Sequence, residues 1–280
     1  MNLRFIGVSQ GLSGFSKEVF RMRTHRAKSA GLGWIRDNPD PRDHIYAPPS
    51  SVLSSLPSRV DLRGKMPPVY NQGEFNSCTA NAVAAALQFD EIKQGGSTKA
   101  SNRPSRMFIY YNERLVEGTE EKDAGAQIRD GIKSVAKQGD CPERLWPYKK
   151  ANLTVKPYAK CYLKARRYRA VEYQRMQHRM DQLKTCLASG YPFVFGFRVY
   201  ESFLGRSVRE TGLLYMPKVN EKGVGLHAVL ASGYDDQANR FIVRNSWGKK
   251  WGVGGYFTMP YDYLLDPELA HDFWTIRVVR

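Results

Sequence analysis

The sequence predicts an α+β protein of two lobes with a cleft between them. Three observations carry that expectation: a leader broken by glycine and proline over residues 1–56, a mainly helical stretch over 57–190, and mainly β segments over 191–280. In the leader, Pro39, Pro41, Pro48, Pro49 and Pro57 punctuate the second half and favour an extended chain. Phe5, Phe15, Phe20, Leu32, Trp34, Ile35 and Tyr46 give it apolar anchors, so docking on a folded body is expected rather than free disorder. After Asn76 and Ser77, either of which can cap a helix, the run from Cys78 to Glu91 holds five alanines and neither Gly nor Pro. Further helices are expected from Arg106 to Val116, Ile128 to Lys137 and Met176 to Ala188, the last closed by Ser189 and Gly190. Phe193 to Tyr200, Ala228 to Tyr234, Arg240 to Arg244 and Tyr256 to Met259 are β-branched or aromatic segments bounded by turn residues, the pattern of antiparallel strands.

With 280 residues, 42% of them hydrophobic, the chain can bury a full core. Lys and Arg outnumber Asp and Glu by 43 to 27, a formal charge of +16 that favours anionic partners. The densest patch, Lys156 to Lys184, sets nine basic residues against Glu172 and Asp181, with Tyr158, Tyr162, Tyr168 and Tyr173 interleaved. No nucleic-acid motif accompanies it, so it reads as a solvated strand-and-loop surface with weak, non-specific polyanion binding. No apolar run reaches the roughly 18 to 20 residues of a membrane span, so a soluble protein is expected. Met1 to Val8 is too short an apolar start for a secretory signal, and the compartment stays open. The four cysteines, at 78, 141, 161 and 186, show no CxxC pair and no zinc-ligand spacing, so no metal is expected. Cys141, Cys161 and Cys186 read as buried, inert thiols, with a disulfide among them left open.

Three positions carry chemistry. Cys78 opens a helix, where the dipole and unpaired N–H groups favour a thiolate, although a lone Cys is ordinarily a small buried apolar residue. His227 sits in Gly225-Leu226-His227-Ala228, just ahead of an apolar strand, where an imidazole can take a thiol proton and return it to a departing amine. His25, His44, His178 and His271 have no motif around them and read as structural. Asn245 follows a strand in Arg244-Asn245-Ser246-Trp247-Gly248; its amide oxygen can fix an imidazole's orientation while Trp247 shields the bond from water. The ordinary alternative is a turn asparagine beside core tryptophans.

Together these residues resemble the papain-like cysteine peptidase family from about Pro57 to the C-terminus. Val60-Asp61-Leu62-Arg63 is similar to the start of a mature enzyme of that family. Val69-Tyr70-Asn71-Gln72-Gly73 is similar to the stretch before its nucleophile, which makes Gln72 the oxyanion glutamine. From Cys78 to His227 is 149 residues, within the roughly 130 to 150 of the family, and Asn245 follows 18 later. The sequence departs at Phe75-Asn76-Ser77-Cys78-Thr79, which lacks the family's upstream Cys and downstream Trp but keeps the reacting residue. Asp123-Ala124-Gly125-Ala126 resembles the glycine-rich substrate-binding stretch, and with Leu226 it is placed against substrate backbone. The short leader is similar to that of bacterial members.

The resemblance implies a helical left lobe carrying Cys78 and a β-rich right lobe carrying His227 and Asn245. It also implies hydrolysis of a peptide or protein substrate through a thioester by a monomer without metal or cofactor, with Gln72 and the Cys78 N–H as oxyanion hole. The leader, 1–56, is then an intramolecular inhibitor lying in or over the cleft. The same dyad would serve a transamidating or deconjugating enzyme, and a papain-like scaffold can also bind peptide or nucleic acid without catalysis. Substrate preference is not legible, because its loops, Glu201 to Gly225 and Asp262 to Phe273 among them, carry no motif.

Overall fold

The computed structural model describes residues 31–95 and 103–279. Phe5, Phe15, Phe20 and the Met1 to Val8 start lie outside them. From Gly31 the leader runs over the body as an arm containing strand β1 (Trp34–Ile35) and a short helix α1 (Ser50–Leu53), the latter an addition to the extended chain expected there. Trp34 and Tyr46 are buried and anchor it as expected, whereas Ile35, also expected as an anchor, is exposed.

After strand β2 (Arg59–Asp61) comes helix α2 (Cys78–Lys93), buried at every position from Cys78 to Asp90. A helix covered on all sides is mostly apolar, its buried Thr79, Asn81 and Gln88 are hydrogen-bonded, and its alanines let neighbouring elements approach closely. Ser77 holds the N-cap position without making the capping bond; its hydroxyl meets Tyr148 Oη at 2.5 Å instead. Helix α3 (Arg106–Glu117) is capped by Ser105 Oγ, which accepts from Phe108 N at 3.1 Å. Strand β3 (Ala126–Gln127), helix α4 (Ile128–Gln138) and helix α5 (Ala159–Ala165) complete the helical lobe.

The other lobe is built from β4 (Ala170–Arg175), α6 (Met180–Ala188), β5 (Phe193–Tyr200), α7 (Glu201–Leu204), α8 (Arg206–Thr211), β6 (Gly223–Asp235), β7 (Arg240–Arg244), β8 (Tyr256–Pro260), α9 (Tyr261–Leu265) and β9 (Ala270–Val279). Its antiparallel sheet runs β4-β9-β5-β6-β7-β8, with β2 added beside β6. One core packs α2, α3 and α4 against Val194, Ala228, Leu230 and Trp274; a second, rich in Phe, fills the β lobe.

Three expectations change. The last predicted helix starts at Met180, not Met176, because Met176 N still donates to Phe273 O of β9 at 2.8 Å, just past the end of β4. His227 lies within β6 rather than just ahead of a strand, since pairing with β5 extends back to Gly223. Strands β2, β4 and β9, none of them expected, draw residues from both halves of the sequence into one sheet.

Candidate active site

The first residue of α2 meets the middle of β6. Backbone N–H groups of Ala228, Thr79 and the arm's Gly33 face the Cys78 sulfur, which is fully buried. His227 Nε2 donates to Asn245 Oδ1 at 2.9 Å, and the same oxygen accepts from Ser246 N at 2.8 Å. That bond fixes the proton on Nε2 and leaves Nδ1 with a lone pair, the form a general base needs. Nδ1 is buried with no hydrogen-bond partner. The Trp247 ring lies 4.9 Å from the imidazole, tilted 31°, and Phe197 and Phe203 close the remaining sides at 5.9 and 6.5 Å.

Gln72 and Asn245 are far apart in sequence yet held by one short ladder. Gln72 N donates to Ser246 O at 2.8 Å, Gly248 N to Tyr70 O at 2.8 Å, and Asn71 bridges Trp247. Ser246 Oγ donates to Gln72 Oε1 at 2.5 Å, which turns the amide nitrogen toward the cleft. Behind it, Tyr148 Oη donates to Gln72 O at 2.9 Å, and Arg106 donates to Asn71 O and Asn81 Oδ1 at 3.0 and 3.1 Å while gripped by Glu143. Sequence reasoning missed Ser246, Arg106 and Phe203. Ser246 lay inside a recognised motif, so its neighbour's role was the available signal; Phe203 carried none.

The arm passes through this site. Gln72 Nε2 donates to Gly31 O at 3.0 Å, Gly33 bridges Leu226, and Ala126 N donates to Gly33 O at 2.8 Å. Trp34 and Ile35 continue as β1, parallel to Ala126 and Gln127, with the indole against Gly196. Gly125, Ala126 and Leu226 therefore meet the arm's backbone. An open cavity of about 930 Å³ adjoins the site, bordered by Asn71, Gly73, Phe75, Arg209, Trp247 and Trp251.

Burial reverses the electrostatics expected of a helix-start cysteine. Loss of water pushes the Cys78 thiol up to about 11 and the His227 imidazole down to about 4, the latter only partly offset by the Asn245 bond. Both shifts favour the neutral forms, and at sulfur the N–H groups of Ala228, Gly33 and Thr79 offset the loss of water only in part. Cys141, Cys161 and Cys186 are free and buried, and the described residues hold no cluster able to bind a metal. No described helix is long and apolar enough to cross a membrane.

The chain matches the papain family cysteine protease model over residues 56–264. It is 47% identical to xylellain, a cysteine protease from Xylella fastidiosa, whose crystal structure superposes with a TM-score of 0.84 over 90% of this chain and 98% of that one. A peptidase C1-like protein of Acanthamoeba polyphaga mimivirus is 40% identical over 275 residues, 90% of this chain and 88% of that protein. Cathepsin K of Gallus gallus is 28% identical over 247 residues, 86% of this chain and 67% of its own. With this fold and these relatives, the chain belongs to the papain family of cysteine proteases and is a cysteine-type peptidase.

Proposed function

We propose that the protein is an endopeptidase in which Cys78 and His227 act as a thiolate–imidazolium pair, and that residues 1–56 restrain the peptidase domain, 57–280, by occupying its cleft. The observation that carries this reading is the Gly31 carbonyl bonded to Gln72 Nε2: the arm takes the donor that a developing oxyanion needs. When the arm withdraws, water and substrate enter, and His227 Nδ1 takes the Cys78 proton. The thiolate attacks the scissile carbonyl carbon, and the carbonyl electron pair moves to oxygen, where Gln72 Nε2–H and the Cys78 N–H stabilise it. Collapse expels the amine, protonated by the imidazolium, and leaves a thioester. Water, deprotonated by His227, attacks the thioester and releases a carboxylic acid and the thiol. Asn245 holds the proton on Nε2 so that Nδ1 keeps its lone pair, and Trp247 keeps water from the His227–Asn245 bond.

Gly125, Ala126 and Leu226 would then hold substrate backbone as they hold the arm's. The test is a product assay on a peptide library, with Cys78→Ala as the control. A free carboxylic acid that forms in the wild type and not in the variant supports hydrolysis. Transfer of the acyl group to an added amine as the main product, or equal turnover by Cys78→Ala, refutes it.

A further inference from the structure

Beyond the cleft the arm continues to a second set of contacts made mostly by carboxylates. Asp37 Oδ1 accepts from Arg129 N, near the start of α4, at 3.1 Å, and Oδ2 accepts from Trp274 Nε1 at 2.7 Å. The Asp37 N–H donates to Asp272 Oδ2 at 2.7 Å, so the body reads both the side chain and the backbone of one aspartyl residue. Three residues on, Asp40 meets Lys133 Nζ at 3.0 Å. Three further, Asp43 takes Arg129 at 2.5 Å and Arg175 at 3.1 Å in a pair almost sealed from water. Every hydrogen bond of the Arg129 side chain among the described residues goes to the arm, to Asp43 and to Asn38 O. Arg175 alone has a partner on the body, Asp272, at 3.1 Å.

If the arm withdraws, as the proposed function requires, the body is left with two guanidinium groups, an ammonium, an indole N–H and a helix-start N–H converging on one groove. Where Asp40 and Asp43 dock, such a donor set binds carboxylates far better than neutral amides, whereas at Asp37 the Asp272 carboxyl opposes a second charge. Six residues separate Gly31, at Gln72, from Asp37, a reach of at most about 20 Å of extended chain, so a polypeptide lying in this end of the cleft arrives at the groove. We infer that the groove of Arg129, Lys133, Arg175, Asp272 and Trp274 is a recognition site that, once vacated, takes an aspartate-bearing segment of the protein substrate. The inference rests on the reading of the arm as a removable cover.

The test uses the full chain carrying Cys78→Ala and two fluorescein-labelled peptides. One copies Leu32 to Asp43, and the other has Asn in place of Asp40 and Asp43, the two aspartates that meet cations. The arm competes equally with both, so its closing equilibrium cancels from the ratio of their Kd values. The acidic peptide should bind at least tenfold more tightly. Arg129→Gln in the same chain should bring the ratio toward one. Lys133→Gln, at a more exposed position, should reduce it in part and covers the case in which the Arg129 variant fails to fold. A ratio within twofold of one, or no measurable binding of the acidic peptide, overturns the site. Turnover of an unrelated peptide by the wild-type chain is read separately: its absence refutes the peptidase mechanism and leaves the Kd ratio standing.

Discussion

Gly33→Ala, a change in the arm alone, should switch the enzyme on. A Cβ at position 33 would stand 1.9 Å from Asn76 O and 2.5 Å from both Asn76 C and Cβ. Asn76 cannot yield easily: Asp123 accepts from its N–H at 3.1 and 3.2 Å, and its Nδ2 donates to Asp123 O at 2.9 Å. The arm must therefore retreat by more than about 1 Å to restore van der Waals contact. That retreat stretches the Gly33 O bond to Ala126 and the Gly31 O bond to Gln72. Overpacking costs about 1–3 kcal/mol and each lost hydrogen bond about 0.5–1.5, so the closed state should lose about 3 kcal/mol. At about 1.4 kcal/mol per factor of ten, the opening equilibrium shifts roughly a hundredfold. Because kcat/KM scales with the open fraction, it should rise by up to that factor and then level off. The assay is initial-rate hydrolysis of a small fluorogenic peptide by full-length protein, shown intact by mass spectrometry. Gly64→Ala is the control, since a Cβ there meets nothing within 4 Å. An unchanged or lower rate in a folded Gly33→Ala chain refutes the idea that the arm blocks the cleft.

His227→Ala should cut turnover by at least about 10⁴-fold, as Cys78→Ala should, with the thermal midpoint nearly unchanged. Asn245→Ala, which only misaligns the ring, should cost about 10²-fold; equal loss in all three would put Asn245 in a direct chemical role. Latency should relax as pH rises. Burial and then the nearby Asp272 carboxyl push docked Asp37 up to about 7, against the opposing pull of Arg129 and Trp274 and with Arg175 and Asp43 close by. A carboxyl raised in the docked state favours docking fully below its free value of 3.8, and that support is lost as pH climbs through about 7. Rates of the wild type divided by those of Gly33→Ala at each pH should therefore rise between pH 5 and 8, and Asp37→Asn should flatten the curve. The Lys156 to Lys184 face should bind heparin weakly, with affinity falling steeply between 50 and 200 mM salt; binding that ignores salt would count against a screened, non-specific contact.

What could be read in the sequence was whatever a short stretch declares by itself. Cys78 at a helix start, His227 beside an apolar run and Asn245 before Ser-Trp-Gly each sit in a local pattern, and the alanines of α2 needed no partner to announce a helix. The rest depends on chain that comes together only on folding. Asp43 meets Arg129 and Arg175 across 86 and 132 residues, and Asp37 meets Asp272 across 235. A charge in a sequence carries no address for its partner, so nothing local pairs these aspartates. Strand β9 was hidden because Asp272, at a φ of 56°, interrupts its alternation with a bulge, and β4 because its residues belong to the basic stretch. The burial of Cys78 was hidden for the same kind of reason: the helix dipole is local and legible, whereas the packing that desolvates the sulfur is not.

That burial separates two effects of the arm that are easily merged. In the proposed mechanism, covering the cleft keeps substrate out, while burial of the dyad favours the neutral thiol and imidazole over the thiolate and imidazolium of the open enzyme. Where the open pair is a thiolate and an imidazolium it binds one proton, as the neutral closed pair does, since ionisation within the pair only moves that proton from sulfur to nitrogen. Over the pH range in which that holds, opening takes up and releases no proton at the dyad, and the dyad adds no pH dependence to latency there. A pH dependence of opening must come from groups whose proton count changes when the arm leaves, and the carboxyls of Asp37 and Asp272 are the pair placed to supply it. The pH profile of activation thus reports on the arm's distant anchor, while the pH profile of the opened enzyme reports on the catalytic pair.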